Sequence, residues 1–174
     1  MINFKGNKGS AAGTVVLFAA VLVFVVLPVM SVILEKNIML AKGQIIKDAV
    51  DITNIASYTA LKSTISEKVI DINNTKLYSV YTSMLAKNLN LNEDLTPKPN
   101  SVAEGPVTIN SLIVYTSGFP VVCPEGNTLV RPSVHAVITV PVKPSLYREV
   151  ILSLLGRQYI YLKIHVDSDL PVNN

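Results

Sequence analysis

From Ala11 to Leu34 the chain carries no charged side chain, and the hydroxyls of Thr14 and Ser31 are its only polar side-chain groups. As a helix this block reaches about 36 Å, at ~1.5 Å per residue. The hydrocarbon core of a bilayer is about 30 Å thick and takes about 20 apolar residues. Length and composition therefore predict a membrane span. A core helix of a soluble protein rarely stays apolar on every face for about six turns. A cleaved secretory signal is also disfavoured. Lys5 and Lys8 supply its basic start, but the apolar stretch is too long, and "VMSVILEKNIML" has large residues where a signal protease needs small ones. The block reads as a retained anchor in a lipid bilayer.

Charge sets the expected orientation. The arm before the span has two lysines and no acid, which predicts a cytoplasmic amino terminus and an external bulk. Beyond the span, 13 Lys and Arg face 12 Asp and Glu, so the net charge of +3 belongs mostly to the arm and predicts no nucleic-acid surface. Cys123 is the sole cysteine, so no internal disulfide framework exists. It reads as a small, partly buried residue, with pairing between subunits as the alternative.

After Leu34 the apolar residues take a helical period. Ile38, Ala41, Ile45, Ala49, Ile52, Ala56 and Ala60 recur at steps of three and four, widened by Ile46, Val50 and Ile55. No proline interrupts residues 29–96, so one helix from about Gly9 to about Ser63 is expected. Its stripe either covers the protein's own small domain or meets another chain. Pro28 removes one backbone bond inside the span and predicts a kink near residues 24–28.

"DINNTKLYSVYTSMLAKNLNLNEDL" predicts a second helix, capped by Asn74, with Leu77, Tyr81, Met84 or Leu85, and Leu89 on one face. From Pro97 the character changes, and eight of the ten prolines fall between residues 97 and 144. Strands are expected at 107–116, 134–142 and 158–168. In the second, Val134, Ala136, Ile138 and Val140 share a face. In the third, Ile160, Leu162, Ile164 and Val166 point inward, with Tyr159, Tyr161, Lys163, His165 and Asp167 outward. Between them "KPSLYREVILSLLGR" predicts a short helix started by Pro144 and Ser145, lined by Leu146, Val150 and Leu154, and ended by Gly156. The fold class is α+β: a long amino-terminal helix, a second helix, and a small carboxy-terminal antiparallel sheet with a short helix. The organisation is a basic arm (1–10), a transmembrane helix (11–34), an amphipathic stalk (35–65) and an extracytoplasmic head (66–174).

The order of these parts resembles a known family. A basic arm, "FKGNKGS", meets an apolar segment with a proline; "MLAKGQIIKDAVDITNIASYTALKS" follows. The end is strand, short helix and strand, "VHAVITVPVKPSLYREVILSLLGRQYIYLKIHVDSDLP". This layout is similar to the TadE/TadG-like pilin-related proteins of tight-adherence (type IVc) pilus systems; residues 66–130 match in character only. The resemblance implies a membrane-held minor pilin or pseudopilin, cut by a prepilin peptidase after a glycine and assembled with other pilin-like subunits and the pilus machinery. Gly9 followed by Ser10 is the best matching position. The family's glutamate five residues on is here Thr14, a departure that bears on both cleavage and filament packing. Gly9 as a plain flexible link is the other reading. Gly6 followed by Asn7 fits less well, since Lys8 would then enter the membrane.

No catalytic, cofactor-binding or metal-ligating constellation emerges. His135 and His165 lie on outward positions of predicted strands, where two imidazoles without a third ligand read as solvated side chains. Cys123 in "VVCPEG" reads as a strand end before a turn, without a partner for nucleophilic work. "GNKGS" lacks the preceding strand of a phosphate loop, and "NNT" at 73–75 is a chance-level glycan pattern. The expected function is thus structural rather than enzymatic: a pilin-like component in a prokaryotic cytoplasmic membrane or its extracellular pilus. It would act by lateral helix association, with homo-oligomers included, through Ala41, Ile45, Ala49, Ile52 and Ala56. The alternative is a tethered extracytoplasmic binding module with the helix as plain anchor.

Overall fold

The computed structural model describes residues 8–61 and 68–170. The chain divides into two units, Met1–Met39 and Leu40–Asn174.

The first unit is helical: α1 (Lys8–Val21), a π turn (Leu22–Val26) and the start of α2 (Leu27–Leu61). Pro28 explains the π turn. Proline offers no N–H, and in a regular helix its ring strikes the carbonyl four residues back, here Phe24. The chain answers with a wider turn in which the Leu27 N–H reaches the Leu22 carbonyl, five residues back. The disturbance expected at 24–28 takes this form. Ser31 Oγ donates to the Leu27 carbonyl at 2.9 Å, so its hydroxyl is satisfied within the helix. The large apolar side chains from Val15 to Leu34 are 45–77% exposed. The helix is long and apolar enough to cross a membrane.

In the second unit, α2 buries Ile46, Ala49, Val50, Thr53, Asn54, Ser57 and Leu61, one stripe at steps of three and four. Residues 46–61 are therefore part of the head's core rather than a separate stalk, because this stripe is covered by the head itself. After β1 (Val69–Asp71), the Asn74 side chain accepts the Leu77 N–H at 3.0 Å and caps α3 (Thr75–Asn88). Leu77, Tyr81, Leu85 and Leu89 are buried as the pattern predicts, with Leu85 rather than Met84 at the third position.

The sheet is antiparallel, in the order β1-β2-β5-β6, with β2 at Thr108–Tyr115, β5 at Ser133–Val142 and β6 at Ile160–Asp169. The three expected strands are all present; β1 is an addition, too short to show alternation. A second small sheet pairs β3 (Val121–Val122) with β4 (Thr128–Leu129). Even-numbered residues of β5 and β6 face α2. There Asn54 Nδ2 donates to Ser168 Oγ at 2.9 Å, the Ser168 hydroxyl donates to Asp51, and Asn88 Nδ2 of α3 donates to Thr53 Oγ1 at 2.8 Å.

The short helix α4 (Arg148–Leu154) begins later than expected. Tyr147 sits at φ 47°, in the left-handed region, so Pro144 and Ser145 stay outside the helix. The face counted from Leu146 therefore does not apply: Leu152 is buried while Val150 and Leu154 are 57% and 82% exposed. Gly156 does end the helix, at φ 60°.

Candidate functional site

Two features gather exposed apolar residues or chemistry-bearing side chains. The first is the outer side of α2. Of the residues expected to face a partner, Ala41, Ile45 and Ile52 are exposed, the two isoleucines at 56% and 58%. Ala56 is half-buried. Ala49 is only 8% exposed and belongs to the core stripe, which corrects its assignment to the interface. At about 100° per residue, Ala49 falls between the two stripes, and the head claims it. Gly9 and Ser10 lie in the opening turn of α1, and Gly6–Asn7 lies outside the described residues.

The second feature escaped the sequence. The register pairs Ile113 with His135, His135 with Asp167, and Val137 with His165, so these odd-numbered residues share one face of the sheet. That face was expected to meet water. Tyr161 and Lys163 are exposed as expected, but at the other end of the face the segment carrying β3 and β4 folds over the strands: Tyr115, Cys123 and Leu129 form a buried cluster, with Ile113, Phe119 and Val121 packed against it. His135 is fully buried, which overturns its reading as a solvated histidine. The physical reason is this hairpin, whose strands of two residues each carry no periodic signal.

Asp167 organises the cluster. Its Oδ1 lies 2.8 Å from His135 Nδ1, and its Oδ2 accepts from Asn127 Nδ2 at 2.8 Å. The Cys123 thiol is directed at Oδ2 from 3.8 Å. His165 Nε2 approaches the same oxygen to 2.9 Å, a contact whose alignment falls short of a hydrogen bond, and that nitrogen is buried with no aligned hydrogen-bond partner among the described residues. His135 Nε2 is also buried, with no hydrogen-bond partner among the described residues. The imidazole centroids are 4.9 Å apart and tilted by 56°. Burial pushes the Asp167 carboxyl up, but Asn127, His135 and His165 outweigh it and hold the group below the ordinary carboxylate range.

Cys123, His135, His165 and Asp167 each offer one ligand atom, all within 4.8 Å of one another. The set can share protons or take a cation. It is ill suited to nucleophilic catalysis, because Cys123 is 3% exposed and His135 fully buried, so a substrate has no approach to the sulfur. The signal present in the sequence was the shared outward parity of His165 and Asp167. The register with His135 and the fold-over that delivers Cys123 are long-range facts that alternation does not encode. No family model, curated protein or solved structure matches the chain.

Proposed function

We propose that the chain is a pilin-like structural subunit, a minor pilin or pseudopilin of a tight-adherence type pilus or secretion machine. In this reading the apolar helix lies in the cytoplasmic membrane with its amino terminus inside, and the α+β unit stands outside. The supporting observation is the pair of stripes on α2. One stripe, from Ile46 to Leu61, is buried in the head. A second, with Ala41, Ile45 and Ile52, leaves apolar surface exposed. A plain anchor needs no second stripe, and small residues beside isoleucines permit close helix approach. The carboxylate that the resembled family places early in its span is here Thr14. Association in this protein therefore rests on packing along the helix rather than on a buried charge.

The test is cross-linking and co-purification of the full-length protein from membranes. Ile45→Arg together with Ile52→Arg is expected to abolish recovery of neighbouring subunits, while the head keeps its circular dichroism and melting temperature. Both side chains are more than half exposed, so the charge is tolerated by the fold. Unchanged recovery would refute lateral association and leave the helix as a simple tether.

A further inference from the structure

We propose that Cys123, His135, His165 and Asp167 form a structural binding site for a divalent transition metal ion, zinc being the best fit. The donors come from three separate segments: the residue just after β3, the start of β5 and the second half of β6. Their ligand atoms lie within 4.8 Å of one another, on a face that the β3–β4 hairpin covers. A tetrahedral zinc site has donor–donor edges of about 3.3–3.8 Å, from Zn–N and Zn–O near 2.0–2.1 Å and Zn–S near 2.3 Å. Closing on an ion therefore takes side-chain movements of about 1 Å. Thiolate, imidazole and carboxylate together suit zinc and exclude the hard ions calcium and magnesium, which take all-oxygen shells.

Two further observations point to a ligand rather than to a self-contained polar cluster. Among the described residues His135 Nε2 is buried with no hydrogen-bond partner, a costly state for an imidazole nitrogen, and His165 Nε2 has only its poorly aligned 2.9 Å approach to Asp167 Oδ2. Asp167 is crowded by His135, His165, Asn127 and the Cys123 thiol, so one carboxylate serves more donors than it aligns well. A cation relieves this. The thiol releases its proton to solvent, both imidazoles bind as neutral donors, and Asn127 remains to orient the carboxylate. Four protein ligands leave no open coordination position, so the role is to fasten the hairpin to the sheet rather than to activate water.

The experiment uses untagged full-length protein in detergent, stripped with a chelator and titrated with Co(II). The expected result is one ion per chain, with tetrahedral d–d bands and a thiolate-to-cobalt charge-transfer band, both displaced by Zn(II). Cys123→Ser is expected to lose the charge-transfer band, and His165→Ala to weaken uptake by at least about tenfold, the scale on which loss of site residues is felt. Because a variant can fail by unfolding, wild-type protein gives a second reading: Zn(II) raises its melting temperature and chelator lowers it. Absence of the charge-transfer band in folded wild type, or its persistence in Cys123→Ser, overturns the proposal.

Discussion

Tyr81 shows what a single buried oxygen does here. Its ring is fully buried on α3, and its hydroxyl has no hydrogen-bond partner among the described residues. Burial also drives its ionisation far above the ordinary tyrosine value. An unpaired hydroxyl in an apolar site costs about 1–3 kcal/mol of desolvation. Tyr81→Phe should therefore hold or raise the midpoint of chemical denaturation. A loss of more than about 1 kcal/mol would show that the hydroxyl is paired. At this scale the sequence was informative where the local pattern decides. Asn74 as a cap and Leu77, Tyr81 and Leu89 as core follow from spacing alone. It was silent on Asn54, whose amide reaches across 114 positions to Ser168, and on His135, whose burial depends on residues 121–129.

At the scale of elements, Glu104 positions α4. Its carboxylate accepts the Lys143 backbone N–H and pairs with Arg148 Nη2 at 2.6 Å and with Lys42 Nζ at 3.7 Å. Lys42 also donates to the Lys143 carbonyl at 2.9 Å. These bonds hold the turn before a helix whose N-cap residue, Tyr147, makes no side-chain cap bond. Glu104→Ala removes a carboxylate about a quarter exposed, so a modest loss of about 1 kcal/mol is expected. The sharper readout is hydrogen exchange: amides of residues 148–155 should exchange faster, with those of β5 unchanged. Uniform loosening of the sheet would show that Glu104 supports more than α4. The strands themselves were legible because one face of each is apolar. The start of α4 was not, since the left-handed Tyr147 has no marker in composition.

At the scale of the molecule, the division at Met39 and Leu40 makes a prediction about folding. Residues 40–174 keep the buried stripe of α2, both sheets and α3, and so hold their own core. Expressed alone, this piece should unfold in one cooperative thermal transition and stay in solution without detergent, with weak self-association through the exposed isoleucines of α2. Failure to fold would mean that the apolar helix is needed for more than anchoring. The α+β class and the long helix were readable because membrane-length apolarity and period-two alternation are local. The membership of residues 46–61 in the head was not, because an amphipathic stripe does not name what covers it. One consequence concerns measurement. The chain owns a single sulfhydryl, carried on the β3–β4 flap itself and buried where that flap meets the sheet. A bulky maleimide dye should thus tag the protein only when that flap lifts, giving a stopwatch for breathing motions that needs no engineered label.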